Sequence, residues 1–335
     1  MRTVSMLAMA FVICAAFTVV GCNDGGDTIT VYSGRSQSLV QTILERHNEE
    51  AEVGIRVRYG STPELAATIL EEGDNSPADV FFAQDAGSLG ALAAEDLLEP
   101  LPEEILELVA PEFRSPEGTW VGVSGRVRVV VYNTRALSPD DLPPTILDYV
   151  GDEWLGRIGW VPTNASFQSF VTALRVLLGE EGARGWLEGI QANEPEEFPN
   201  NITLVQAVAN GEVEVGFSNH YYLYRFLAEE GEGFGARNHF FEVGDPGSLI
   251  NVAGVGVLRT SGNKEAAYGF IRRLLAEEAQ AYFAEQTFEF PLVTGVETVP
   301  GLPPLERLAQ PDIDLSDLGD LRGTIELLEE TGVLP

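Results

Sequence analysis

From residue 28 onward, short apolar strands alternate with longer stretches of helical period. Residues 28–32 (TITVY) are β-branched and alternating, which predicts a strand. Residues 37–48 put Leu39, Ile43 and Leu44 on one face and predict a helix. A second strand is predicted over 55–59. Ser61-Thr62-Pro63-Glu64 then reads as a helix start, with Thr62 as cap and Pro63 in the first helical position. A third strand (78–82) and another helix (86–95) follow. Further on, the pattern predicts a long strand over 122–133 and strands at 157–161, 212–217 and 251–258. It predicts helices at 168–178, 182–192 and 222–230, and one long helix over 264–286. Apolar strands alternating with helices imply a mostly parallel sheet covered on both faces. A strand as long as 122–133 can pass between two lobes.

Composition changes this picture in three ways. With 335 residues, 44% hydrophobic and 21% charged, the chain has room for two globular domains and no disordered character. The formal charge is −32, and loss of Arg2 with a leader leaves 19 basic against 52 acidic residues, or −33. That excess argues against nucleic acid and anionic membrane surfaces as partners. Finally, the first residues are not part of the fold. A positive start and an apolar run from Val4 to Val20 end in Val19-Val20-Gly21-Cys22, which resembles the lipobox of bacterial lipoproteins. The resemblance implies a signal peptide over 1–21, a lipidated Cys22 and a polar tether over 22–27. Cys14, the second of the two cysteines, leaves with the leader, so no disulfide is expected.

The stretch that carries chemistry is Gly216-Phe217-Ser218-Asn219-His220-Tyr221-Tyr222-Leu223-Tyr224-Arg225-Phe226. A strand ends, Asn219 stands at the expected helix cap, and two tyrosines fill the first turn. A helix N-terminus favours anions and so favours phenolate. A phenol ionises near pH 10, so a neutral solution requires a bound cation. Phenolate is a hard oxygen donor suited to Fe(III), whereas zinc or copper sites would show Cys or His. The histidines, His47, His220 and His239, have no ligand-like spacing. Tyr-Tyr alone is a weak signal, because aromatic residues at a helix start more often belong to a core.

Its surroundings are more specific. SNHYYLYRF, the PNN at Pro199-Asn200-Asn201 and PTNASFQSFVTALR (162–175) resemble the bacterial ferric-iron-binding proteins of ABC-type iron uptake. So do ITVYSGRS (29–36), ADVFFAQDAG (78–87), SGRVRVVVYN (124–133) and FEFPLV (288–293), in the same order along the chain. The resemblance implies the two-lobed periplasmic-binding-protein fold (type II), with hinge strands crossing near Ser124–Arg128 and Leu249–Ala253. It implies one lobe from 28–125 plus 252–302 and the other from 126–251 plus 303–335. It makes Tyr221 and Tyr222 the Fe(III) ligands. It seats a synergistic phosphate or carbonate near Ser166, Phe167, Asn201 and Asn219, through backbone N–H groups at the helix start and amide donors. Family members that use a histidine after the first strand and a glutamate after the third differ from this chain, which has Ser36 and Gln84 there. Tyr32 and Asp85 stand as unplaced ligand candidates, and Arg35, Gln84 and Arg126 as a possible outer layer.

The expected function is an extracytoplasmic, lipid-anchored binding protein that delivers ferric iron to an ABC permease. Other readings stay open. One is a binding protein for an oxyanion, a polyamine or a thiamine-like cation. Another is a sensor that feeds a receptor. An enzyme is not expected: there is no G-x-S-x-G elbow, P-loop or G-x-G-x-x-G, and the mature chain has no free cysteine.

Overall fold

The computed structural model describes residues 28–308 and 311–335. The leader, Cys22 and the tether lie outside the described residues. β1 (Thr28–Ser33), β2 (Gly54–Tyr59) and β3 (Val80–Ala83) are parallel, linked by α1 (Gln37–Glu50) and α2 (Thr62–Glu72). Then come α3 (Ala86–Ala94), the short α4 (Glu103–Leu106) and β4 (Trp120–Asn133), followed by β5 (Ile158–Trp160), α5 (Ala165–Ala192) and β6 (Glu196–Glu197). Next are α6 (Asn201–Asn210), β7 (Val215–Asn219), α7 (Tyr221–Glu230), β8 (Ala236–His239) and β9 (Ile250–Val257). The chain closes with α8 (Lys264–Leu274), α9 (Glu277–Thr287), β10 (Phe290–Pro291) and α10 (Leu321–Glu330).

The strand order is β2-β1-β3-β9-β4-β7-β5-β6, with β8 and β10 also on β4. β4 makes this array bipartite. Its first half, up to Val127, pairs antiparallel with β9, and from Arg128 onward it pairs with β7. All fourteen residues of β4 are buried, as a strand shared by two packed sheets requires. The C-terminal chain reaches both halves. The turn at Leu315–Gly319 lies against α3, so closely that a Cβ on Gly87 would fall 2.3 Å from the Leu318 carbonyl oxygen. α10 lies on α5, where Arg175 pairs with Asp320 at 2.8 Å and the Thr172 and Thr324 hydroxyls meet at 2.7 Å.

Two local expectations need correction, and a third, a pair of helices, is found as expected. The α2 cap is Ser61, whose Oγ accepts the Glu64 N–H, while the Thr62 hydroxyl accepts the Gln84 N–H at 3.0 Å and ties α2 to the end of β3. The expected helix over 264–286 is two helices. Ala276 is extended (φ −69°, ψ 151°) and restarts the chain as α9 with Glu277 and Glu278 in its first turn, which suits the helix dipole. Gln280, fully buried, donates to the Leu274 carbonyl that the break leaves open and to the Val123 carbonyl of β4. The helices expected at 168–178 and 182–192 are the two arms of α5. They meet at Gly179, whose φ of 73° is one that glycine adopts without strain.

Candidate binding cleft

The chain places its chemistry where β4 changes sheets. A cavity of about 110 Å³ opens there between the two halves. It is lined by the ends of β3 and β7, the start of α5, α7 and β9, and the middle of β4. Tyr221, Tyr222, Ser166, Asn219, Gln84, Asp85 and Arg126 all border it.

Tyr221 and Tyr222 are the first two residues of α7, and their rings lie 4.2 Å apart at 30°. Burial pushes the Tyr221 phenol far above its ordinary value, and the neighbouring Tyr222 oxygen adds to the rise. Without a strong cation this phenol therefore stays protonated. Tyr224 is of the other kind: buried, its hydroxyl donates to the Gly301 carbonyl at 2.9 Å. Asn219 is the last residue of β7 rather than the cap, and the cap position falls to His220, already helical at φ −55°. The Asn219 side chain turns to the cleft, where its Oδ1 accepts from Arg128 at 3.3 Å.

His220 is fully buried. Its N–H donates to the Val127 carbonyl at 3.1 Å, and its Nδ1 accepts the Val127 N–H at 3.2 Å. With Nδ1 accepting, Nε2 carries the proton and donates to the Phe288 carbonyl at 2.7 Å. Burial lowers its pKa to about 4, so the ring is neutral.

Three arginines stand near the cleft, and they differ in their partners. Arg35 does not line it. It is fully buried, forms a two-pronged pair with Glu289 at 2.7 and 3.0 Å, and donates to the Gln84 side chain at 2.8 Å. Burial would raise the Glu289 carboxyl, but the Arg35 and Arg126 guanidiniums outweigh it and hold the group below its usual range. Arg126 is 4% exposed, donates to the Gln84 carbonyl and leaves Nε without a partner. Arg128 is 5% exposed and lies over the Phe170 ring at 5.3 Å. Its hydrogen bonds are two long ones to neutral oxygens, Asn219 Oδ1 and the Ser166 hydroxyl at 3.5 Å. Among the described residues neither Arg126 nor Arg128 has a carboxylate within ion-pair distance. Burial depresses both, Arg128 to about 10.

Other expected residues fall elsewhere. Phe167 is buried, edge-on to Trp160 at 5.6 Å, and its N–H is taken by the Asn164 carbonyl at 2.9 Å. The Ser166 N–H and hydroxyl both go to Asn164 Oδ1, at 3.0 and 2.5 Å. The backbone donors expected to hold an anion at this helix start are thus satisfied by its own cap. Asn201 is buried and does not border the cavity, and its Nδ2 has no partner. Ser36 is exposed outside the cleft. Tyr32 is a core residue whose hydroxyl is held between Arg58 at 2.9 Å and Glu72 at 3.1 Å. Asp85 borders the cavity but already caps α3, accepting the Ser88 N–H at 3.0 Å. The described residues contain no cluster of three or more His, Cys, Asp or Glu able to hold a metal.

Sequence reasoning missed Arg128, Asn251 and Glu289. A signal for the first was present. Arg126 and Arg128 stand two apart in an otherwise apolar strand, which puts both on one face of a buried sheet.

The pattern of bacterial extracellular solute-binding proteins matches residues 42–306. The chain belongs to this family. A Neisseria meningitidis (serogroup A) relative called major ferric iron-binding protein is 34% identical, over 91% of this chain and 93% of its own length. Iron-bound HitA from Pseudomonas aeruginosa superposes with a TM-score of 0.83 at 35% identity, covering 91% of this chain and 99% of HitA. A Trichodesmium protein solved with iron and citrate ligands gives 0.78 at 30% identity over 91% and 99%. The chain therefore sits among the ferric-iron-binding members, with the two-lobed periplasmic-binding fold. These relatives are binding proteins of transport, not enzymes. The family is extracellular or periplasmic, and no described helix is long and apolar enough to cross a membrane.

Proposed function

We propose that the cleft holds ferric iron between the Tyr221 and Tyr222 phenolates, with a small anion against Arg126 and Arg128. One observation carries this reading. Two adjacent phenols open into the same cavity as two buried guanidiniums that have no carboxylate within ion-pair distance. A buried unpaired cation calls for anionic charge, and a phenol that burial holds neutral gives up its proton only to a strong cation. A trivalent metal arriving with an anion satisfies both. The names of the Neisseria and Pseudomonas proteins support iron as the cargo. The Trichodesmium complex adds a carboxylate to phosphate and carbonate as anion candidates. The Asn219 amide completes the anion seat beside the arginines, and Ser166 lends a donor only if its hydroxyl turns from Asn164, whereas Phe167 supports Arg128 from below and Asn201 stands outside the seat.

The protein delivers this cargo to the permease of an ABC importer. It is held at the membrane by a lipidated Cys22, and its lobes are 28–125 plus 252–302 and 126–251 plus 303–335, with the Leu315–Gly319 turn of the second reaching across to α3 of the first. Cys22→Ala should move the protein from the membrane to the soluble fraction, and wild-type protein that is already soluble would rule the anchor out.

Ferric iron on two phenolates should give a visible ligand-to-metal charge-transfer band. Tyr222→Phe keeps the ring and removes the oxygen. The band should shift or vanish and affinity should fall at least a hundredfold, while apo-protein melting changes little. An unchanged band and affinity in Tyr222→Phe would remove the pair from the site. The unpaired arginines also favour a second reading, a binding protein for an oxyanion alone. A wild type that binds phosphate or citrate without iron, and shows no colour with it, would select that reading.

A further inference from the structure

The residue between the end of β7 and the tyrosine pair does more than fill space. The β4–β7 ladder runs antiparallel down to Arg128 opposite Asn219. The next rung would place the His220 carbonyl on the Val127 N–H. That carbonyl has already turned into α7, where it accepts from Asn238 Nδ2 at 2.9 Å. The imidazole Nδ1 takes its place, so a side chain completes the rung at the residue where β4 changes sheets. The far side of the same ring donates to Phe288, the residue that ends α9. Phe288 is left-handed at φ 59°, an uncommon state for a bulky residue that persists only when its surroundings fix it. Its ring also stacks with Tyr224 of α7, and the His220 ring lies 4.8 Å from Phe290. One imidazole thus connects the start of the tyrosine helix, the crossing strand and the α9–β10 junction.

We propose that His220 is a positioning residue. Its Nδ1 sets the tyrosine pair in register with the crossing strand, and its Nε2–H ties that assembly to the α9–β10 junction and so slows cargo release. This rests on the ferric reading above. Each bond can be removed separately. Asn carries an acceptor near the place of Nδ1 and does not reach Phe288. Gln reaches Phe288 with a donor near the place of Nε2 and leaves the Val127 N–H without its acceptor.

The iron-loaded full-length protein is measured in two ways: the position of the charge-transfer band, and the rate of iron loss to an excess of a strong chelator. His220→Asn should keep the band and release iron about tenfold faster. His220→Gln should shift the band, because the phenolates move relative to the strand, and should change release less than threefold. Two folded variants that both match wild type in band and in rate to within twofold would show His220 to be core only. So would both variants losing melting temperature with these two readouts unchanged. If neither variant folds, nitrogen-15 spectra of the wild-type ring decide. A proton on Nε2 that exchanges slowly is expected, and a proton on Nδ1 overturns the proposal. If wild type shows no band with ferric iron, the ferric reading fails separately. Amide exchange in the apo-protein then tests the tie. Val127 should exchange faster only in His220→Gln and the α9–β10 junction only in His220→Asn, and equal exchange in all three proteins overturns it.

Discussion

Arg35 and Arg128 are the same side chain at nearly the same burial, yet they serve opposite ends. Around Arg35 the protein returns the charge itself, with a two-pronged carboxylate from Glu289, which Ser124 also supports at 2.8 Å. Around Arg128 it offers two aromatic faces and two distant neutral oxygens. A buried charge without a partner is costly, so a fold retains one only where something else supplies the counter-charge. On the reading proposed above, the paired arginine is scaffold and the unpaired one is half of a site whose other half arrives with the cargo. Burial alone would have ranked them equally.

The largest effect expected from this contrast is on the scaffold side. Glu289→Gln leaves Arg35 buried against a neutral amide and should cost about 3–5 kcal/mol of stability, measured by denaturant unfolding of the apo-protein. The pH dependence has a definite sign. Glu289 is held below its unfolded value, so its contribution is fully present above the ordinary carboxylate range and is lost as pH falls through its depressed folded value. Glu289→Gln should therefore flatten the acid limb of the stability curve. A variant as stable as wild type, with the same acid limb, would erase the distinction between the two arginines.

The smaller effect is on the site side. Arg128→Met keeps much of the packing over Phe167 and Phe170 and removes an uncompensated charge. Apo-protein stability should stay level or rise by up to about 2 kcal/mol, while the dependence of iron binding on added phosphate, carbonate or citrate should weaken. A loss of more than about 2 kcal/mol would mean that Arg128 is paired in solution and belongs with Arg35.

Much of this was legible in the chain. The three parallel strands, the long β4 and the first-turn tyrosines follow from period and composition, because burial on both faces leaves a continuous apolar signature. What escaped was set by partners distant in sequence. Glu289 reads as a lone acid in an apolar run until Arg35, 254 residues away, is seen beside it. The break between α8 and α9 escaped because apolar period continues across it, and only the reach of Gln280 shows why the chain turns. Asn219 looked like a helix cap because the residue type suits one. The ladder with Arg128 holds it in the strand instead and moves the helix start to His220. Ser166 and Phe167 looked like free donors because a cap that satisfies its own helix, as Asn164 does, cannot be told by residue type from one that leaves N–H groups for a ligand.

The position of the strand crossing also has a mechanical meaning. Arg126 and Arg128 are two residues apart on β4, which in the extended strand puts their Cα atoms roughly 6.5–7 Å apart. Val127, where the strand leaves one sheet for the other, is the joint between them. The two charges therefore stand on either side of that joint, one where β4 pairs with β9 and the other where it pairs with β7. An anion that bridges them sits almost on the pivot. On the proposed reading its lever arm would be short and that of the lobe rims long, so a shift of a fraction of an ångström at the seat would be amplified into a wider swing at the mouth. The rims would then report on the cargo without contacting it.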